Sequence, residues 1–202
     1  SVLPKERKPM RIELCREYRA AGAFATTLSG RQTGQPPVRL TGLATDSAEI
    51  EKGDIFLALP GKTHNGWEYL DVALQRGAAG AILPHAAGEN PHVPYRILVD
   101  DPFKSLLAAA AAHRAHLNGT VIAVSGSAGK TTAKEAIATV LGERGVVRKS
   151  RGNYNSSIGL PLSLLSMDEA DFYVLEIGIS HPGEMEEMSL ALAPEIAVLT
   201  NI

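Results

Sequence analysis

Apolar and polar positions follow two regimes along the chain. Over the first 118 residues, short apolar stretches are broken by Gly- and Pro-rich turns; beyond them, longer apolar runs alternate with helical patterns. Ile12, Leu14, Cys15, Tyr18 and Ala21–Ala23 have helical spacing and predict a short amphipathic helix near the start. Residues 30–37 read as a loop, Val38–Leu40 as the opening of a β-like stretch, and Asp54–Leu59 as a strand closed by Pro60-Gly61. A helix is predicted over Trp67–Arg76, stopped by Gly77, with strands at Ala79–Leu83 and Tyr95–Val99. Phe103, Leu106, Leu107, Ala110, Ala111 and Leu117 fall on one broad face of a helix over Pro102–Leu117. Asp100 or Asp101 is its expected cap, and Pro102 suits the first helical position.

From residue 119 the pattern becomes strand–helix alternation: Val121–Val124, Thr131–Glu143, a helix-like Leu160–Met167, Phe172–Glu176, Pro182–Leu192 and Ile196–Thr200. These apolar runs lack polar alternation, as strands buried between helices in a parallel sheet do. The expected architecture is α/β: a small mixed α/β domain over residues 1–118, then part of a doubly wound, mostly parallel α/β domain over 119–202.

Composition narrows the picture. At 45% hydrophobic and 21% charged, the 202 residues are not a disordered chain. A net charge of −2 argues against binding nucleic acid through bulk positive charge. Lys5, Arg7, Lys8 and Arg11 read as a solvated basic face. Cys15, the one cysteine, forms no internal disulfide and fits a reducing cytoplasm. The longest apolar candidate, Leu106–Ala112, is too short to cross a bilayer, and Ser1–Met10 has no apolar core for a secretory signal. The abrupt stop just after Ile196–Leu199 predicts a cut through a larger protein.

The sharpest chemical signal is Ser125-Gly126-Ser127-Ala128-Gly129-Lys130-Thr131-Thr132, lying between a strand and a helix with apolar Ala133, Ile137, Val140 and Leu141. Gly126 and Gly129 let the backbone curl so that its N–H groups converge on an anion at a helix N-terminus. Lys130 would reach the outer phosphates of a nucleotide and Thr131 would ligate Mg²⁺. The spacing is short, because the common P-loop pattern wants glycine at position 124 and this chain has Val124. Glu176 ends a strand where open α/β sheets place ligands, and reads either as a metal ligand or as a salt-bridged carboxylate. Asn153 and Asn155 fit turn chemistry as well as ligand contact. His181 before Pro182 reads as a helix-cap partner, a surface residue or a site residue.

The loop sequence resembles that of the Mur ligases, ATP-dependent amide-forming enzymes of peptidoglycan synthesis. Within that family, Thr132-Ala133-Lys134-Glu135, Gly152–Leu162 and Glu176–Met185 are most similar to the member acting last in the cytoplasm. Its patterns are G-N-x-N-N-x-I-G-x-P, with Ser156 here at the second asparagine of the pair, and E-x-G-x-x-x-x-G-E-I. The resemblance implies that a UDP-N-acetylmuramoyl-tripeptide carboxylate is phosphorylated by ATP, and that the amine of D-alanyl-D-alanine then displaces phosphate. It implies Lys130 and Glu176 as catalytic residues, Thr131 and Glu176 as Mg²⁺ ligands, and Ser125–Thr132 as the nucleotide loop. Asn153, Asn155, Ser156 and His181 become substrate contacts. Thr45-Asp46-Ser47, Gly53–Gly61 and Asn65-Gly66 resemble the family's UDP-sugar-binding domain, although Ala48 replaces an expected arginine. Thr45, Asp46, Ser47, Asn65 and Gly66 would then contact the sugar nucleotide; as residues they also read as polar turns.

Further implications are a cytoplasmic monomer with no nucleic-acid or integral-membrane role, and no ligase turnover by these 202 residues alone. Three rivals stand beside this reading. The preceding ligase, which adds the third peptide residue, usually carries G-T-N-G-K-T-T. A folylpolyglutamate synthase lacks the first domain. A non-catalytic UDP-muramoyl-peptide-binding module would have no need of Lys130, Thr131 and Glu176.

Overall fold

Alternate residues of the strand Thr120–Ser125 (β7) point to opposite apolar layers, which is the physical basis of a two-faced sheet. A computed structural model of the chain describes residues 10–88, 90–152 and 154–201. It divides into two compact units, Ser1–Ala108 and Ala109–Ile202.

The first unit is built on a six-stranded sheet in the order β1-β3-β4-β5-β6-β2. The strands are β1 (Arg11–Glu13), β2 (Arg31–Gly34), β3 (Gly42–Ala44), β4 (Ile55–Leu57), β5 (Gly80–Pro84) and β6 (Tyr95–Val99). The central four run parallel, and β1 and β2 close the edges antiparallel. Ala44, Phe56, Ala81 and Leu83 share one core cluster with Leu70 and Ala73 of the helix α2 (Leu70–Gln75). Leu43, Ile55, Leu57 and Ile82, of opposite parity, are equally buried, so the central strands are apolar on both faces.

The start of the chain differs from the predicted helix. Ile12, Leu14, Cys15 and Tyr18 are all buried, but Arg11–Glu13 is a strand and the helix α1 spans only Ala21–Thr27. Arg11 is a correction to the solvated face: it pairs with buried Asp54 through Nε at 2.7 Å and Nη2 at 3.0 Å. Lys5, Arg7 and Lys8 lie outside the described residues. The loop expected over 30–37 contains β2, whose Arg-Gln-Thr-Gly sequence carries no apolar alternation because it sits on an edge. Val38 is fully exposed, and the strand it was expected to open begins at Gly42.

Helix α3 (Pro102–His116) starts as predicted, and Asp101 rather than Asp100 caps it. Asp101 Oδ1 accepts from the N–H groups of Phe103 at 2.9 Å and Lys104 at 3.1 Å. Asp101→Ala should therefore lower stability by about 1 kcal/mol. Asp100→Ala should change it by less than ~0.5 kcal/mol, both read by urea denaturation. The two units divide inside α3, ten residues before the boundary expected from sequence. The reason lies in its second half: Ala110 joins the second unit's core, and Arg114 donates to the carbonyls of Leu192, Ala193 and Leu117.

The second unit holds a four-stranded, all-parallel sheet, β10-β7-β9-β8. Besides β7 its strands are β8 (Val147–Lys149), β9 (Phe172–Glu176) and β10 (Ile196–Leu199), with helices α4 (Lys130–Gly142), α5 (Gly159–Leu165) and α6 (Glu184–Leu192) between them. Val121 and Ala123 face a core with Leu160, Leu164, Met188 and Leu192, whereas Ile122 and Val124 face Ala138, Ile137 and Leu141 of α4. Two expectations fail locally. Val140, read as an apolar position of α4, is 68% exposed, and β10 is an edge strand with Ile196 and Leu199 exposed rather than buried. Among the described residues no helix is long and apolar enough to cross a membrane.

Candidate functional site

Parallel pairing puts the carboxyl ends of β7, β8, β9 and β10 on one side of the sheet, and the chemistry-bearing residues cluster there. The register sets Val124 of β7 opposite Glu176 of β9, so Glu176 stands beside the loop that leaves β7. The loop turns through Gly126 at φ +139° and Gly129 at φ +78°, backbone that favours glycine, and α4 begins at Lys130. A Cβ on Gly126 would come within 2.4 Å of Thr200 Oγ1 and 2.8 Å of the Asn201 carbonyl. The loop is held by the chain just past β10: Thr200 Oγ1 donates to the Ser125 carbonyl at 3.2 Å, and Ser127 N–H donates to the Asn201 carbonyl at 3.0 Å.

Lys130 folds back and donates from Nζ to the Gly126 carbonyl at 2.7 Å. Thr131 Oγ1 donates to Glu176 Oε2 at 2.8 Å, and Asn155 Nδ2 donates to Oε1 at 2.8 Å. Glu176, only 2% exposed, thus has both oxygens engaged and its own N–H donating to Ser150 Oγ at 2.9 Å. The two readings of this carboxylate are not exclusive, because Lys134 Nζ lies 3.6 Å from Oε2. A hydroxyl and a carboxylate oxygen 2.8 Å apart at the mouth of a phosphate-type loop fit Mg²⁺, a hard cation that keeps few protein ligands and completes its shell with water and phosphate oxygens. Among the described residues no group of three or more His, Cys, Asp or Glu forms a self-sufficient metal cage.

The remaining sequence candidates are placed as follows. Ser125 Oγ donates to the Ile177 carbonyl at 3.1 Å, tying the loop to the end of β9, while Ser127, Ala128 and Thr132 are exposed. Asn153 lies outside the described residues. Ser156 Oγ accepts from Gly159 N–H at 3.1 Å, a bond that supports the start of α5. His181 is half-buried, its Nε2 enclosed without a partner among the described residues, and its N–H donates to Glu184 Oε2 at 3.1 Å.

In the first unit, Thr45 donates N–H to the Met10 carbonyl at 3.0 Å, and Asp46 Oδ1 accepts from Ala48 N–H at 2.8 Å, capping a short turn of 3₁₀ helix that includes Ser47. Asn65 Oδ1 accepts from Gly61 N–H at 3.3 Å, and its own N–H donates to Glu68 Oε1 at 2.9 Å. Gly66 N–H donates to the Leu59 carbonyl. These residues form two polar turns at the carboxyl ends of β3 and β4, each with its own internal bonding. Sequence reasoning missed Lys134, Ser150, Thr200 and Asn201. Thr200 and Asn201 could have been found, since a Thr-Asn pair directly follows a strand of the same parallel sheet; nothing in the sequence marks Ser150.

Two family descriptions match the chain: "Mur ligase family, catalytic domain" over residues 39–116 and "Mur ligase middle domain" over residues 124–202. A Bacillus subtilis relative named UDP-N-acetylmuramoyl-tripeptide–D-alanyl-D-alanine ligase is 38% identical over 177 residues, covering 87% of this chain and 38% of that protein. An Acinetobacter baumannii structure, UDP-N-acetylmuramoylalanyl-D-glutamyl-2,6-diaminopimelate–D-alanyl-D-alanyl ligase, superposes with a TM-score of 0.81 at 28% identity, over 93% of this chain and 42% of the other. A Thermotoga maritima MurF ligase in complex with ADP superposes with a TM-score of 0.69 at 34% identity, over 79% and 37%. The chain spans well under half the length of these relatives. Because the family's two descriptions follow one another, the first ending with α3 and the second beginning within β7, and together cover most of the sequence, the chain belongs to the Mur ligase family.

Proposed function

We propose that this chain provides the sugar-nucleotide-binding and nucleotide-binding parts of a ligase that joins D-alanyl-D-alanine to UDP-N-acetylmuramoyl-tripeptide with consumption of ATP. The observation that carries the reading is the Thr131–Glu176 pair beside the Gly126–Gly129 loop, at the carboxyl edge of the parallel sheet. The named relatives and the ADP-bound neighbour support it.

A carboxylate is a poor acyl donor, so phosphoryl transfer to it creates the leaving group that the incoming amine displaces. Residues 125–132 bind and orient the phosphates through loop N–H groups and the N-terminus of α4, and Lys130 leaves the Gly126 carbonyl to reach the outer phosphates. Thr131 and Glu176 would hold Mg²⁺, which when bound would offset charge on the transferring group. Lys130 and Glu176 are the catalytic residues, and none of these groups serves as a covalent nucleophile. Asn155 fixes Glu176, and Asn153, Ser156 and His181 are assigned to contacts with the acyl substrate. Thr45, Asp46, Ser47, Asn65 and Gly66 form the sugar-nucleotide turns of the first unit.

The test is calorimetric titration of the chain with ADP, with and without MgCl₂, and with UDP-N-acetylmuramoyl-tripeptide. The expected result is saturable binding of both, with ADP tightened by Mg²⁺. A folded chain that binds neither would sink the proposal. Binding of the sugar nucleotide alone would favour the non-catalytic module.

A further inference from the structure

Lys134 is a charged side chain of the second unit that the proposed chemistry leaves unused, and it has no exposed surface. It sits one turn beyond Lys130 on α4, on the side that faces the sheet. Its Nζ donates to the Ser150 carbonyl at 2.9 Å and lies 3.4 Å from Glu135 Oε1 and 3.6 Å from Glu176 Oε2. Ser150 completes a ring, since its hydroxyl accepts the Glu176 N–H while its carbonyl accepts from Lys134.

Packing does not require an ammonium there. The same helix meets the sheet through Ala138, Ile137 and Leu141, and an apolar side chain would avoid the cost of dehydrating a cation. Buried ion pairs are commonly neutral or unfavourable against well-packed apolar replacements, so stability is a weak reason for this lysine. Its placement against the carboxylate beside the phosphate loop supplies a stronger one. With Asn155 on Oε1 and Thr131 and Lys134 both against Oε2, the Glu176 carboxylate is held from three sides.

We propose that Lys134, with Ser150, is a positioning residue that holds the Glu176 carboxylate in the orientation used for the divalent cation of a bound nucleotide. The inference rests on the nucleotide reading above. Groups that orient a metal ligand without touching the metal typically govern affinity by 10- to 100-fold, and here the quantity governed is the tightening of nucleotide binding by Mg²⁺.

The experiment measures the affinity of a fluorescent ADP analogue for the 202-residue chain, with MgCl₂ and with EDTA, in the wild type, Lys134→Met, Lys134→Arg and Ser150→Ala, with a thermal melt of each. In Lys134→Met the ratio of affinities with and without Mg²⁺ should fall roughly 10-fold while the EDTA affinity stays within about two-fold. Lys134→Arg should recover part of the ratio, and Ser150→Ala should lower it. A folded Lys134→Met with an unchanged or larger ratio overturns the proposal; a larger one would mean that the ammonium merely repels the cation. Should Lys134→Met not fold, a wild-type ratio in folded Ser150→Ala overturns it instead. A wild-type chain that binds no ADP overturns the nucleotide reading as well, whereas normal wild-type binding with unaffected variants removes only the role of Lys134.

Discussion

Lys130→Ala should cost the chain roughly 10- to 150-fold in ADP affinity while leaving its fold intact. The estimate follows from the loss of one hydrogen bond between charged partners, worth about 1.5–3 kcal/mol. Among the described residues the ammonium's one hydrogen bond goes to the Gly126 carbonyl. That bond is local, within one turn at the start of α4, and Lys130 is half-exposed, so its removal leaves no buried charge behind. The β- and γ-phosphates offer a far stronger acceptor than a neutral carbonyl, which is why the side chain is expected to move on binding. Comparing ADP with AMP separates this effect from a general weakening. AMP affinity should change by less than about three-fold, because its single phosphate lies short of the outer positions that Lys130 reaches. Equal losses for both nucleotides, or none for ADP, would remove Lys130 from its assigned role.

The loop was legible because its chemistry is local: two glycines, a lysine and a hydroxyl between an apolar strand and a helix can be read without knowing what they pack against. Glu176 was legible for a related reason, since a carboxylate at the end of an apolar strand has one plausible location in a parallel sheet. What stayed hidden depended on pairing. Lys134 looks like any surface lysine of an amphipathic helix, and only the register of β8 and β9 brings Ser150 and Glu176 against it. The strands β1 and β2 were missed because edge strands need not alternate, and because residues 12–18 have helical spacing by coincidence of four buried positions. Burial was predicted correctly there, and the element was not. Asp46 and Asn65 show a different limit. Their residue types signalled both a turn and a ligand contact, and the structure gives each a bond within its own turn without excluding the second use.

Arg11→Met should destabilise the first unit by about 3–5 kcal/mol, a large part of the roughly 5–15 kcal/mol by which domains are stable. Asp54 has no exposed surface, and four donors converge on it: Arg11 Nε and Nη2, Thr41 Oγ1 at 2.8 Å and the Glu51 N–H at 3.0 Å. Removing the guanidinium leaves the carboxylate buried with only the two neutral donors, too few to offset its lost hydration. Arg11 also meets Glu51 at 2.9 Å, but that carboxylate is 69% exposed. Glu51→Gln should therefore cost less than about 1 kcal/mol. Trp67, the single tryptophan, packs against the core of the first unit, so its fluorescence reports the unfolding of that core in urea. The Trp67 midpoint should move down by roughly 1.5–2.5 M in Arg11→Met. Raising the salt concentration should leave that difference nearly unchanged, because the pair is shielded from mobile ions. A midpoint shift no larger than that of Glu51→Gln would mean that the Arg11–Asp54 pair does not hold β1 to the sheet.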